Sequence, residues 1–304
     1  KKHSIIIKGE ITKKGIPLKK DFSIKLNSQI TKYLTPKYIY LPLKEEDQIH
    51  AKMEIKKEER ISDRLISPVS GQIVGTKYCL TENGEMVKCL AILNDYKETF
   101  WERKAVRKTM NKISLEKMLI EIQEYHYDDL FNKLKKMNES QILILNGIED
   151  EPYVANEIFI GKEYTSNVLE SLDALREIGH FPKVQIAIKN NDRENIEAYS
   201  NFLGTYPNIE LVLVPDYYLI GKPRFLKAYL NIQEEALILS PSEIRTIYNT
   251  IKRRRYNTET IFTISGDGIE NPQIIEAKIG SSVKEILNSH IKIKKNETIH
   301  IQVN

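Results

Sequence analysis

The chain has 304 residues, of which 41% are hydrophobic and 29% charged, a composition typical of a globular protein and not of a disordered one. Its 46 lysines and arginines and 42 acidic residues leave a formal net charge of +4, too small to indicate nucleic-acid binding. Two cysteines are too few for an iron–sulfur cluster, which takes about four ligands. No apolar run approaches the ~20 residues that span a bilayer, so no transmembrane segment is expected and any membrane contact would be peripheral.

The first hundred residues are predicted to be β-rich. Residues 36–42 alternate like a short strand, and residues 65–74 suit a strand, a turn and a second strand. Residues 78–93 surround an Asn-Gly pair, which predicts a hairpin. These segments together predict a small β domain.

Three side chains in and after this region have simple structural interpretations. Cys79 and Cys89 lie on either side of the predicted hairpin turn, and we expect reduced, apolar packing residues and not a disulfide or redox pair. Trp101 lies at the predicted end of the β domain and is expected to be a packing residue.

From Ser114 onward the pattern changes to alternating helices and strands. Apolar residues at helical spacing predict one or two helices over residues 114–137, with Ser114 as N-cap. Residues 141–145 form a continuous apolar run, as expected of a buried parallel strand. The elements predicted next are a helix at 165–178 that Gly179 ends, a strand at 184–188, a helix at 195–203 and a strand at 209–214. This order is typical of a Rossmann-like parallel sheet.

The last fifty residues are predicted to form a compact β-grasp-like module. After a helical stretch at 241–251, β alternation resumes at 261–266, and a short helix at 283–287 precedes a final strand at 297–303. The predicted fold class is therefore multidomain α/β, with domains at 1–100, 101–255 and 256–304.

Three segments in the same order carry a family resemblance: residues 38–43 with 66–74, residues 144–153, and residues 263–272. Together they resemble the C subunit of the Rnf electron-transport complex. Its relatives include the NADH-binding flavoprotein subunit of complex I, the A subunit of the sodium-pumping NADH:quinone reductase, the cobalamin reductase of propanediol utilisation and the electron-transfer protein of proline reductase. The resemblance implies a barrel-sandwich hybrid, then a Rossmann-like domain for FMN and NADH, then a soluble-ligand-binding β-grasp domain.

The resemblance also implies cofactor-binding residues at the end of the strand predicted at 141–145. Asn146, Glu149, Asp150 and Glu151 match residues that approach the flavin and nicotinamide in relatives, although Asp150 stands where the Rnf pattern has cysteine. Open α/β sheets bind ligands at the carboxyl ends of their strands, which agrees with this placement. The alternative is a solvated acidic turn, and no nearby histidine completes a metal site.

Two family features are missing from the chain. The stretch that corresponds to the glycine-rich flavin loop, residues 122–133, contains no glycine and carries Asp128 and Asp129, which would repel a phosphate. Residues 240–243, Ser-Pro-Ser-Glu, replace a second flavin-binding motif. We therefore expect FMN and NADH binding to be weakened or lost.

Three functions follow as hypotheses. The first is an RnfC-like docking or scaffold subunit whose partners are proteins of a redox complex, cytoplasmic or peripheral on the inner face of the membrane. The second is an active NADH:acceptor oxidoreductase with FMN, and the third is a non-redox module that binds a ligand or a protein through residues 266–272. The basic run at 252–255 suits either an acidic ligand or a helix end, where cations complement the dipole.

Overall fold

A computed structural model describes residues 5–7, 30–50, 52–81, 84–151, 154–266 and 268–294. The chain forms two compact units. The first unit comprises residues 1–23 and 105–255, and the second comprises residues 24–104 and 256–304. The division into three domains stays a prediction.

The described helices and strands alternate through most of the chain. The helices are α1 (Leu115–Glu124), α2 (Asp128–Leu134), α3 (Asn156–Glu163), α4 (Thr165–Ile178), α5 (Arg193–Ser200), α6 (Pro223–Leu230), α7 (Pro241–Ile247) and α8 (Val283–His290). The strands are β1 (Ile5–Ile7), β2 (Thr31–Tyr33), β3 (Tyr38–Pro42), β4 (Glu54–Ile55), β5 (Gly71–Leu80), β6 (Met86–Asn94), β7 (Ile142–Asn146), β8 (Val184–Lys189), β9 (Ile209–Val214), β10 (Ala236–Leu239), β11 (Glu259–Ile264) and β12 (Gln273–Lys278). None of the described helices is long and apolar enough to cross a membrane.

The first unit is built on a five-stranded parallel sheet in the order β1-β9-β8-β7-β10. Successive side chains of a strand point to opposite faces, so each continuous apolar strand contributes to two cores. Leu143 and Leu145 of β7 contribute to the larger core with α1, α2, α4 and α7, whereas Ile144 contributes to the core with α6. The predicted parallel sheet is therefore confirmed.

Of the one or two helices predicted at 114–137, the structure has two. The Ser114 hydroxyl accepts a 3.2 Å hydrogen bond from the Lys117 amide and caps α1, as predicted. His126, with φ 60°, lies between the two helices, and a left-handed residue of this kind interrupts a helix. The helix predicted at 165–178 is α4, and its C-cap is Gly179.

The second unit contains two sheets. β3, β6, β5 and β4 form an antiparallel sheet over an aliphatic core that includes Ile39, Ile61 and Ile92. β11, β12 and β2 form a smaller sheet, antiparallel between β11 and β12 and parallel between β12 and β2, that buries Ile275 with α8. The hairpin predicted at 78–93 is confirmed as β5 and β6.

A cluster of four charged side chains lies within the second unit: Glu259 and Lys278 belong to β11 and β12, and Lys57 and Glu98 lie shortly after β4 and β6. The Lys278 ammonium lies 2.5 Å from the Glu259 carboxylate and 3.0 Å from that of Glu98, and the Lys57 ammonium lies 3.1 Å from Glu98. Both lysine side chains are buried. Burial and the nearby Lys278 charge lower the pKa of Lys57. Burial opposes the charge of Lys278 too, but the hydrogen bonds and the charge attraction of its neighbours, chiefly Glu259 with Glu98, together outweigh burial and raise the pKa of Lys278.

Several sequence predictions differ from the structure. β1 pairs with β9 in the parallel sheet and β2 pairs with β12, so two strands of the first hundred residues lie outside the sheet of β3–β6. These strands are three residues long, too short for an alternation pattern to show their partners. Trp101 is 52% exposed, so its prediction as a packing residue was wrong. Cys79 and Cys89 are free thiols, as expected, and the strand predicted at 297–303 lies outside the described residues.

Candidate functional site

The predicted site residues follow β7, at the point where the strand order of the parallel sheet reverses. The chain proceeds from β7 to β8 and β9 on one side, and then returns to place β10 on the other side of β7. Ligands of open α/β sheets bind outside the carboxyl ends of the strands at such a switch point. The segments after β7 and β10 therefore form the candidate site.

Asn146 and Asp150 are held by one glycine. The Gly221 amide donates a 2.6 Å hydrogen bond to the Asp150 carboxylate, and its carbonyl accepts a 2.7 Å bond from the Asn146 amide group. A Cβ at residue 221 would lie 2.7 Å from that carboxylate and 2.8 Å from Ile148, so the contact requires glycine. The two predicted residues are thus brought together by a segment that precedes α6.

A buried lysine supplies the positive charge of the site. The Lys189 ammonium at the end of β8 lies 3.7 Å from the Asp150 carboxylate and 3.0 Å from that of Asp216. It also donates to the Glu149 carbonyl at 3.1 Å. Burial nevertheless raises the pKa of Asp150, because the neighbouring positive charges offset only part of the desolvation cost.

The other two predicted residues differ in exposure. Glu151 is partly exposed and pairs with Lys222 at 2.9 Å, so it is a surface ion pair. Glu149 accepts a long, 3.4 Å hydrogen bond from the Glu157 amide, and burial raises its pKa to about 7. At neutral pH the Glu149 carboxyl can therefore hold or release a proton, which a solvated acidic turn would not do.

The carboxylate of Glu157, a residue of α3 that the sequence did not single out, contacts the start of α7. Glu157 accepts a 2.9 Å bond from the Ser242 amide and a 2.6 Å bond from its hydroxyl. Ser240 and Glu243 complete a capping box at the same helix end. Burial raises the pKa of Glu157 as well. The Glu157 carboxylate thus occupies the position after β10 at which the amide and hydroxyl of Ser242 could otherwise bind an anion.

The stretch that corresponds to the glycine-rich loop is mostly helical. Ile122 of α1 and Leu130 and Leu134 of α2 are buried in the larger core of the first unit. Asp128 and Asp129 form the first turn of α2, where negative charge favours the helix. This stretch therefore packs against the protein and offers no glycine backbone to a phosphate.

Sequence reasoning found the acidic residues after β7 but not the groups that hold them. Lys189 was overlooked because it is one lysine among many, although its place at the end of a buried strand was a usable signal. Gly221 and Glu157 lie 71 and seven residues from Asp150 along the chain, and no local pattern connects either with it.

The basic run at 252–255 has internal partners. The Lys252 ammonium donates to the Glu170 carboxylate at 2.5 Å and to the Lys108 carbonyl at 2.6 Å. The Arg253 guanidinium lies over the Tyr248 ring, and the helical segment ends at Arg254, whose backbone is left-handed. These contacts favour the structural interpretation of the run over a site for an acidic ligand.

Comparison with known proteins places these features in a family context. A family described as the Nuo51 FMN-binding domain matches residues 130–265. The C subunit of the ion-translocating oxidoreductase complex of Pseudomonas aeruginosa is 28% identical over 155 residues, which cover 48% of this chain and 20% of the relative. The corresponding protein of Serratia proteamaculans is 29% identical over 163 residues, 50% of this chain and 23% of the relative.

Among solved structures, an NAD+-reducing [NiFe]-hydrogenase in the air-oxidized state matches with a TM-score of 0.47 and 11% identity. That match covers 58% of this chain and 38% of the hydrogenase chain. The aligned part of the present chain spans about a fifth of the length of the curated relatives. The resemblance to the C subunit of the Rnf complex that the sequence motifs predicted is confirmed.

Proposed function

We propose that this chain is an electron-transport component that docks or scaffolds a redox assembly, with an FMN and NADH site that has been weakened or lost. The family matches support an electron-transport role, since the relatives are subunits of an ion-translocating oxidoreductase complex. The residues of the site support the loss of FMN and NADH binding.

The contact between Glu157 and Ser242 carries the proposal. FMN is bound through a phosphate that needs backbone amides, hydroxyls or positive charges. The amide and hydroxyl of Ser242 both bind the Glu157 carboxylate. A phosphate at this helix end would have to displace a buried side chain and would meet Glu243 in the same turn.

The remaining charges at the switch point also disfavour a phosphate. Glu149, Asp150 and Glu151 lie after β7, and the cations beside them, Lys189 and Lys222, are already paired with carboxylates. Because like charges repel more strongly away from water, a phosphate here would be costly to bind. The residues present at this site therefore do not fit FMN.

The finer architecture and the location are part of the same proposal. We interpret the β3–β6 sheet as a barrel-sandwich hybrid, the parallel-sheet unit as Rossmann-like and the β11–β12–β2 sheet with α8 as a β-grasp domain. The protein partners would be subunits of a redox complex on the cytoplasmic side of a membrane, with this chain as a peripheral component.

Titration of the purified chain with FMN tests the lost site. Isothermal calorimetry and flavin fluorescence should show no saturable binding up to about 1 mM, which bounds the binding free energy near −4 kcal/mol. An established FMN-binding protein serves as positive control. Saturable FMN binding in the micromolar range would refute the proposed loss of the site. The refutation would be stronger if Glu149→Gln weakened that binding.

Isolation from native membranes tests the docking role. An affinity-tagged chain, recovered with mild detergent and chemical cross-linking, should migrate with flavin- or iron–sulfur-containing proteins while carrying no flavin itself. The purified free chain is the matched control for non-specific migration. Recovery of only the free chain from cross-linked membranes would overturn the docking role.

An active NADH:acceptor oxidoreductase is the second candidate function. It is favoured by the match of residues 130–265 to an FMN-binding domain and by a carboxyl, Glu149, whose pKa of about 7 suits proton exchange. The FMN titration separates the two functions, because only the second requires micromolar FMN binding by this chain.

A further inference from the structure

The second unit contains a cavity of about 780 Å³, within the ~300–1,000 Å³ range of small-molecule sites. It lies between residues 50, 52–60, 70–72 and 93–101, and none of the residues after β7 lines it. The cavity is therefore a site separate from the one proposed to be lost.

Two backbone segments are joined to form one wall of the cavity. The Lys57 amide donates to the Thr99 carbonyl at 2.8 Å, and the Trp101 amide donates to the Lys57 carbonyl at 2.9 Å. This pairing places neighbouring side chains together, so that the Lys56 ammonium lies 5.6 Å from the centre of the Trp101 ring. Both side chains line the cavity, and Trp101 is 52% exposed.

Residues next to this wall have strained backbone. Glu58, Tyr96 and Glu98 have φ values of 65°, 61° and 53°, in the left-handed region that non-glycine residues seldom adopt. Such strain persists only where surrounding contacts fix it, and it concentrates at functional sites. The Glu98 carboxylate contacts Lys57 and Lys278, which ties the backbone beside the lining residue Thr99 to the rest of the unit.

Three lysines with exposed side chains, Lys52, Lys56 and Lys97, line the cavity. Among the described residues, no carboxylate forms an ion pair with Lys52, Lys56 or Lys97.

Two of the three acidic residues that line the cavity are engaged in local hydrogen bonds. Asp95 accepts from the Ser70 hydroxyl and the Lys97 amide, and Glu59 accepts from the Lys56 amide. Glu54 is the third. The ammonium groups of the three lysines would attract an anionic ligand in the cavity.

We propose that this cavity binds a nucleoside phosphate. The base would stack on the half-exposed indole of Trp101, and the phosphates would contact the ammonium groups of Lys52, Lys56 and Lys97. A ligand with a planar base and an anionic phosphate suits this arrangement. The base can stack on the indole while the phosphates contact the lysines.

The only tryptophan of the chain lies in this cavity, so its fluorescence reports binding directly. We expect ADP to change the Trp101 emission, excited at ~295 nm, along a saturable curve with a Kd below about 1 mM. Calorimetry should give the same Kd. A linear change, or no heat of binding up to several millimolar ADP, would overturn the proposal.

Variants test the location of the binding site. Lys52→Ala with Lys97→Ala should weaken ADP binding about fivefold, and Trp101→Ala, followed by calorimetry, about tenfold. The matched control is Lys44→Ala with Lys88→Ala, which removes two exposed lysines of the same unit outside the cavity. Equal weakening by the control pair, or unchanged binding in the cavity variants, would place ADP elsewhere and refute the proposal.

Two fragments of the ligand test its chemistry. Adenosine and pyrophosphate should each bind at least several-fold more weakly than ADP, since each satisfies one half of the site. Pyrophosphate binding as tight as that of ADP would show a simple anion site and overturn the assignment of a nucleoside phosphate.

Discussion

Replacing Lys278 by methionine should destabilise the second unit more than replacing an exposed lysine. The Lys278 side chain is 2% exposed and contacts the carboxylates of Glu259 and Glu98. Removal of one partner of a buried ion pair leaves an uncompensated charge, which typically costs ~3–5 kcal/mol. Because Lys57 still neutralises part of the remaining charge, we expect about 3 kcal/mol, at the lower end of that range.

A second substitution tests the reason for this loss. In Lys278→Met with Glu259→Met, Lys57 and Glu98 remain as a balanced pair, so at least about 1 kcal/mol should be recovered relative to Lys278→Met alone. The exposed pair of Lys44 and Glu46, 3.9 Å apart, provides the control, and Lys44→Met should cost under ~0.5 kcal/mol.

Urea unfolding followed by the fluorescence of Trp101 measures these differences. Trp101 belongs to the second unit, and its amide is bonded to the carbonyl of Lys57, so its emission reports the structure around the charge cluster. A double variant less stable than Lys278→Met would refute the reasoning, because the Glu259 charge would then not be the source of the loss.

Three further predictions concern the candidate site, each measured by urea unfolding followed by circular dichroism. Burial raises the pKa of Glu149 to about 7, so the wild-type free energy of unfolding should fall as pH rises from about 4.3 to 7, and Glu149→Gln should flatten that fall; an unchanged slope would contradict it. Ser242→Ala removes the 2.6 Å bond to the buried Glu157 carboxylate and should cost about 1.5–3 kcal/mol; a loss below ~0.5 kcal/mol would show that the bond is unimportant. Gly221→Ala places a Cβ 2.7 Å from the Asp150 carboxylate and should cost about 1–3 kcal/mol; a neutral result would mean that this contact yields easily.

The parts of the fold that were predictable from sequence are those in which local pattern and tertiary position agree. α4 has both an apolar stripe and a glycine end, β7 is an apolar run, and β9 is apolar apart from Glu210, so each was predicted close to its observed bounds. The short helices α3 and α6 and the four-residue β10 were missed, because their limits depend on neighbours distant in the chain.

The candidate site, like the fold, was predictable only in part. The residues after β7 were predictable because strand ends in parallel sheets are ligand positions, and the motif supplied the residue types. The contact between Glu157 and Ser242 was not, since it joins residues 85 positions apart and depends on β10 being placed beside β7. That placement determines whether the Glu157 carboxylate or an anion from solution occupies the start of α7.

The pairing of β2 with β12 constrains the order in which the protein can form during synthesis. β12 is the central strand of its sheet, and its register joins Thr31 to Ile275. A nascent chain therefore holds β2 without a partner while more than two hundred further residues are made, and closure of so long a loop is slow. The parallel sheet of the first unit is complete once β10 has emerged, well before β12. We infer that the first unit folds on the ribosome while the smaller sheet of the second unit forms last, with β2 a target for chaperones in the interval.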